Sequence, residues 1–290
     1  MSSPVVDSHH HFWQPQRLDY YWIDPADPIL ARAFQPEHLR PNLAAAGVEA
    51  TVLVQGTQTL AESDYLLGLA DGTAFVAGVV TWAEMESPWF EAQLAHFRHH
   101  PKFVGIRPQI HDMEDEAWML RPAVRRAFAV LEREQICFDF LVRPQHLAHV
   151  LKVLEAYPQL RAVIDHIAKP RIASRQLEPW AGLMTEIASH PNVHCKVSGM
   201  VTEADHKAWQ PAHLRPYIDH VVDSFGSERL LFGSDWPVCL QAASYAQVIA
   251  AARENLRDLD AAAQAAIFGG NAARFYRLGL PVTDAPPRGR

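Results

Sequence analysis

Eight short runs of aliphatic, β-branched and aromatic residues recur along the 290-residue chain, and each interval between them has room for one helix. The runs span roughly Pro4 to His11, Ala50 to Gln55, Ala74 to Val80, Phe103 to Pro108, Ile136 to Val142, Arg161 to His166, Val193 to Ser198 and Arg229 to Asp235. Most are nearly continuous in apolar character, as parallel strands covered on both faces must be. The intervals carry helical periodicity with recognisable ends. Pro36 to Ala46 stops at Gly47, where a left-handed C-terminal cap suits glycine. Ser87-Pro88 predicts another helix start, with serine as N-cap and proline in the first helical position. A last helix is predicted from Asp260 to Tyr276.

This alternation predicts an α/β fold with a parallel sheet and right-handed crossovers. An open doubly wound sheet would read the same way, but no GxGxxG follows the first run. Chemistry-bearing residues end the first, sixth and eighth runs, and only a closed barrel brings the first and last strands side by side. The expectation is a single (β/α)8 domain of the TIM type over residues 1–290, with 281–290 a flexible tail. The longest interval, Phe12 to about Gln35, holds Trp13, Tyr20, Tyr21, Trp22 and several prolines. It reads either as an aromatic lid over the mouth of the barrel or as a segment that plugs the barrel edge.

Composition narrows the function classes. With 49% hydrophobic and 20% charged residues the chain is ordinary globular protein. A net charge of -7 without a cluster of Lys and Arg gives no footprint for a polyanion, so nucleic acid is not an expected partner. Cys137, Cys195 and Cys239 lie in or beside apolar runs without CxxC spacing, as reduced core residues of a cytoplasmic protein do. No apolar run approaches the ~20 residues that span a bilayer, and no membrane partner is expected.

Side chains alternate across a strand, so His9 and His11 point to one side and His10 to the other. A His-x-His pair at a strand end can place two imidazole nitrogens on one ion, or it can be an ordinary hydrogen-bonded core pair. For His10 a packing role is expected. Asp235 ends the run Leu230-Leu231-Phe232-Gly233-Ser234, where a carboxylate calls for a metal, a histidine or a substrate. Its alternative is to cap the helix that follows Pro237. His166 and Lys169 share the end of the sixth run and its turn, a pairing that favours a site.

Read together in order, Val6-Asp7-Ser8-His9-His10-His11-Phe12-Trp13, Leu53-Val54-Gln55, Gly105-Ile106-Arg107, Asp165-His166-Ile167-Ala168-Lys169-Pro170, Lys196-Val197-Ser198-Gly199-Met200 and Phe232-Gly233-Ser234-Asp235-Trp236-Pro237 resemble the lactonase branch of the amidohydrolase superfamily. The resemblance runs from Val5 to about Phe275, and the Asp-Tyr-Tyr-Trp-Ile stretch is similar to sugar-acid lactonases acting on L-fucono- or L-rhamnonolactones. It implies a distorted (β/α)8 barrel that hydrolyses a cyclic ester. The positions that match the family's motifs are His9 and His11 in the first strand, His166 in a later one, and Asp235 as the final-strand aspartate that activates water.

Two departures bear on the metal. Where metal-dependent relatives carry a bridging Lys or Glu after the fourth strand, this chain has Arg107, and in place of a second downstream histidine it has Cys195, Lys196 and Ser198. The resemblance therefore implies at most one divalent cation, with zinc suited to His9, His11, His166 and Asp235. Some members of the branch work without metal, and there Arg107 and Lys169 would stabilise the oxyanion. The expected catalytic residues are Asp235, His166 and Arg107; Trp13, Gln55, Lys169 and Lys196 are expected to bind a small sugar-acid lactone. The same scaffold supports hydrolysis of dicarboxylic lactones, lactone isomerisation and decarboxylation of aromatic acids. A sugar-acid-binding barrel without activity is the non-enzymatic alternative. Oligomeric state is not legible.

Overall fold

The computed structural model describes residues 4–281. From Val282 onward the predicted tail lies outside the described residues. Eight parallel strands follow one another in sequence order: β1 (Val6–His10), β2 (Ala50–Val54), β3 (Val76–Thr81), β4 (Phe103–Ile106), β5 (Cys137–Phe140), β6 (Ala162–Ile164), β7 (Val193–Val197) and β8 (Leu230–Phe232). Between them lie α1 (Pro36–Ala46), α2 (Leu60–Asp71), α3 (Phe90–Arg98), α4 (Pro122–Glu134), α5 (Leu147–Ala156), α6 (Trp180–Ala188) and α7 (Pro211–Phe225). After β8 come α8 (Tyr245–Asn255), α9 (Ala261–Ala265) and α10 (Asn271–Phe275). This is a (β/α)8 barrel.

The barrel is joined at its seam by a few bonds between β1 and the chain leaving β8. Asp235 N donates to the His9 carbonyl at 2.8 Å and His11 N to the Trp236 carbonyl at 2.7 Å. Ser8 Oγ donates to the Phe232 carbonyl at 2.6 Å. Buried Asp7 spans the same seam: it accepts from Ser234 N at 2.9 Å, Ser234 Oγ at 2.6 Å and Tyr245 Oη at 3.1 Å. The residues before and after a seam of eight elements are thereby held in one place, which is where the chemistry sits.

A broad apolar layer packs strands against the helices, while a smaller cluster of Val6, Ala50, Val52, Val54, Val80, Val163 and Leu231 is closed by Phe275 and Tyr276 from the chain's end. Burying one such side chain stabilises the fold by about 1.5–3 kcal/mol.

Several element ends differ from the sequence reading. The sixth and eighth strands stop at Ile164 and Phe232, because the chain leaves the sheet there, with positive φ at His166 to Lys169 and at Asp235. Ser87 does not cap a helix; it forms the preceding turn, its carbonyl accepting from Phe90 N at 3.3 Å. The last helix is broken, since a Cβ on Gly269 would lie 1.8 Å from the Pro4 carbonyl oxygen, and the start of β1 needs that space. Helix α1 and its left-handed Gly47 cap match the sequence pattern.

Candidate active site

The ends of β1, β6 and β8 converge on one carboxylate oxygen. Asp235 Oδ1 stands 3.4 Å from His11 Nε2, 3.7 Å from His166 Nε2 and 3.9 Å from His9 Nε2, and His9 and His11 are 3.2 Å apart through Nε2. The middle histidine points elsewhere: His10 Nε2 bonds Thr51 Oγ1 at 2.8 Å, and burial pushes its imidazolium down to about 3. Asp235 does not cap the turn that follows it, which has no side-chain cap.

Local backbone geometry aims these groups. Asp235 has φ 57°, and His166, Ile167, Ala168 and Lys169 have φ of 53°, 46°, 60° and 51°. Four consecutive left-handed residues without a glycine are strained, at roughly 1–2 kcal/mol each for L-residues. The His166 ring rests on Gly199, where a Cβ would lie 2.5 Å from Nδ1, and Nδ1 itself meets Ser198 Oγ at 2.8 Å.

Beneath the histidines lies a wholly buried charged layer. Lys196 Nζ is 2.6 Å from Asp139 Oδ2, 2.9 Å from Asp165 Oδ1 and 3.0 Å from His9 Nδ1, and Tyr276 Oη donates to Asp139 at 2.7 Å. Burial works against the Lys196 charge, but Asp139 and Asp165 outweigh it and hold the ammonium above its ordinary range. Burial pushes Asp139 up, while Lys196, His166 and Arg107 overcome burial at Asp165 and hold it down. Arg107 closes this layer from β4: Nη1 lies 3.4 Å from His9 Nε2 and 3.7 Å from Asp165, and Nη2 donates to the Gln55 carbonyl.

Protonation follows from these contacts. Burial would raise Asp235, but His166 and His11 prevail and keep it below the usual carboxylate range. Burial, with Lys196 and His11 beside it, drives His9 well below its ordinary value; burial also dominates at His166 against the pull of Asp235. Both imidazoles are neutral at neutral pH. The His11 Nδ1 contact with the Val54 carbonyl at 2.8 Å requires a proton there, and the ring turns its Nε2 toward Asp235 and His9.

This donor set fits a divalent ion. Ligand atoms of a tetrahedral site with bonds of about 2.0–2.1 Å stand about 3.3–3.4 Å apart, close to the spacings among His9, His11 and Asp235. Asp165 forms a second group with His9 and His166, but it is already committed to Lys196. Three carboxylates, Asp139, Asp165 and Asp235, against two cations, Arg107 and Lys196, leave one net negative charge, which favours a bound cation.

Above the cluster opens a cavity of about 420 Å³ lined by His11, Arg107, His166, Lys169 and Asp235, within the range of small-molecule pockets. Three expected substrate contacts are not on its wall. Trp13 is the buried centre of its loop, packed on Trp22 and Phe34 with its indole N–H bonded to the Leu30 and Arg32 carbonyls. Gln55 is buried and donates to the Arg107 carbonyl at 2.5 Å. Lys196 lies in the charged layer below. Lys169 does reach the pocket and pairs with Glu203.

The long loop after β1 lies over the mouth rather than at the barrel edge, contributing Trp22, Asp24, Asp27 and Leu30 to the wall. Sequence reasoning also missed Gln109, His111, Asp112 and Gln241 on that wall. The first three follow the fourth strand's end, so the rule that drew attention to Arg107 could have found them; Gln241 carries no such signal. Among the described residues, no helix is long and apolar enough to cross a membrane.

Comparison with known proteins finds relatives over nearly the whole chain. The profile of the amidohydrolase family matches residues 6–278. An L-fucono-1,5-lactonase of Burkholderia ambifaria is 43% identical over 285 residues, 96% of this chain and 97% of that protein. One from Burkholderia multivorans is 36% identical, covering 97% and 99%. A crystal structure of a B. multivorans amidohydrolase with bound Zn superposes with a TM-score of 0.91 at 36% identity, covering 96% of this chain and all of that one.

Proposed function

The chain belongs to the amidohydrolase family, and on that premise we propose that it hydrolyses the cyclic ester of a six-carbon sugar acid, an L-fucono-1,5-lactone or a close analogue, to the open-chain acid. Its near full-length similarity to L-fucono-1,5-lactonases supports the substrate class. The observation that carries the chemistry is the convergence of His9, His11 and His166 on one Asp235 oxygen at the floor of a polar pocket.

Asp235 is ionised throughout the neutral range and takes a proton from the attacking water. The lactone carbonyl lies toward Arg107, whose guanidinium, fixed by the Gln55 carbonyl, meets the charge that develops on oxygen. Neutral His166, steadied by Ser198, passes the proton from Asp235 to the ring oxygen as the C–O bond breaks. Lys169, the Asp24 and Asp27 carboxylates of the long loop, and the Gln109 and Gln241 amides bind the polyol hydroxyls. One zinc ion held by His9, His11 and Asp235 would supply Lewis acidity toward the carbonyl and the positive charge the buried layer lacks.

A pH-indicator assay over a panel of aldono-1,4- and 1,5-lactones, followed by product analysis, tests this reading. Acid release from an L-fucono- or L-rhamnonolactone is expected. A ring shift without acid release would make the protein an isomerase, and turnover of aromatic acids or dicarboxylic lactones alone would move it to another branch of the family.

A further inference from the structure

The left-handed turn His166–Lys169 is a strained way to leave a strand, so something must hold it. A turn of this hand with about three residues per turn brings residues i and i+3 to one side; His166 and Lys169 both line the cavity, while Ile167 and Ala168 are wholly buried. The turn closes on itself through Lys169 N donating to the His166 carbonyl at 2.8 Å. Its central carbonyl points outward to the helix layer, where the Trp180 indole N–H donates to Ile167 O at 2.7 Å. Ile167 is the residue least suited to positive φ, being β-branched.

Trp180 is itself rigid. It is the first residue of α6, 2% exposed, with its ring 5.4 Å from Tyr217 and 5.1 Å from His220 on α7. It is not on the wall of the catalytic cavity. We propose that Trp180 is a positioning residue: its indole N–H pins the strained turn in the left-handed form and thereby keeps His166 and Lys169 aimed into the pocket. The consequence for catalysis rests on the reading of that pocket as a lactone-hydrolysing site; the pin itself does not.

Trp180→Phe keeps an aromatic ring on Tyr217 and removes the donor, leaving the Ile167 carbonyl buried without its partner. Its kcat on L-fucono-1,5-lactone is expected to fall about tenfold, with KM changed less than threefold, as loss of one positioned bond implies. Ala168→Gly removes the steric cost of positive φ, so it should leave kcat within about twofold and hold or raise the melting temperature. Ala250→Gly, exposed on α8, should instead lower it, as glycine does in a right-handed helix. The decisive variant combines Trp180→Phe with Ala168→Gly. Because glycine populates the left-handed form unaided, most of the lost kcat should return, which a purely structural packing role for Trp180 would not allow.

Hydrogen exchange at the Lys169 amide reads the pin without substrate: faster in Trp180→Phe, restored in the double variant. A folded Trp180→Phe with wild-type kcat and wild-type Lys169 exchange would overturn the proposal. So would a double variant no better than Trp180→Phe, or an Ala168→Gly as destabilised as Ala250→Gly, an arm that stands even if Trp180→Phe fails to fold. If the wild type hydrolyses no lactone, the functional reading falls, and exchange and melting data still judge the pin.

Discussion

Replacing Lys196 with methionine separates a buried structural cation from a substrate-binding one. The side chain is wholly buried, with Nζ 2.6 Å from Asp139, 2.9 Å from Asp165 and 3.0 Å from His9 Nδ1. Methionine has nearly the same length and no charge, so the variant leaves two carboxylates facing each other in a dry layer. Removing one partner of a buried pair costs about 3–5 kcal/mol, and for a chain of this size that lowers Tm by roughly 6–20 °C. The deficit should depend on pH. Burial already pushes Asp139 up to about 6, and loss of Lys196, which opposes burial there, moves it higher. A carboxyl raised above its unfolded value contributes stability at low pH that is lost as pH rises through the folded value. The Lys196→Met deficit should therefore grow between pH 5 and pH 8, and adding Asp139→Asn should shrink it at pH 8. Urea and thermal unfolding at both pH values measure this. A variant that melts within about 2 °C of wild type and shows only a raised KM would refute the reasoning and restore Lys196 as a substrate ligand.

Glu62, buried against the Gly56 and Thr57 amides, is pushed by burial up to about 7 from 4.5. By the same sign its contribution is present below pH 4.5 and lost through pH 7, about 3 kcal/mol in all, so Glu62→Gln should gain on wild type between pH 5 and pH 8.5 in denaturant titrations. Arg107→Lys replaces a planar fork with a point charge and should cut kcat by at least about tenfold; unchanged steady-state kinetics would remove Arg107 from the reaction. Zinc added to chelator-treated protein should raise Tm, with one ion per chain by calorimetry, and His11→Ala should abolish both effects. Two bound ions would contradict the ligand set drawn from His9, His11 and Asp235.

The fold was legible because the apolar runs are strand-length and evenly separated, and because residues at the ends of the first and last runs had a reason to meet. The convergence of His9, His11, His166 and Asp235 could be anticipated from strand alternation and strand ends. What could not be read was depth. Lys196 sits on β7 within the buried charged layer and Gln55, just past β2, is buried against the Arg107 backbone, and alternation gives the side of a strand without its height along the barrel. Trp13 looked like a sugar platform because aromatic loop residues often are, yet the loop needs a core of its own, and Trp13 supplies it. The left-handed turn at His166–Lys169 left no trace in the sequence, since no glycine marks it; tertiary contacts such as that from Trp180 hold it.

The central claim is that Asp235, set among three histidines, activates water on a lactone carbonyl. Its most direct test is the hydrolysis rate of L-fucono-1,5-lactone by Asp235→Asn, corrected for spontaneous ring opening and accompanied by a melting curve. Asparagine keeps the size and removes the proton acceptor, so the rate should fall by about 10²-fold or more while the protein stays folded. A folded Asp235→Asn that retains most of the wild-type rate would contradict the account.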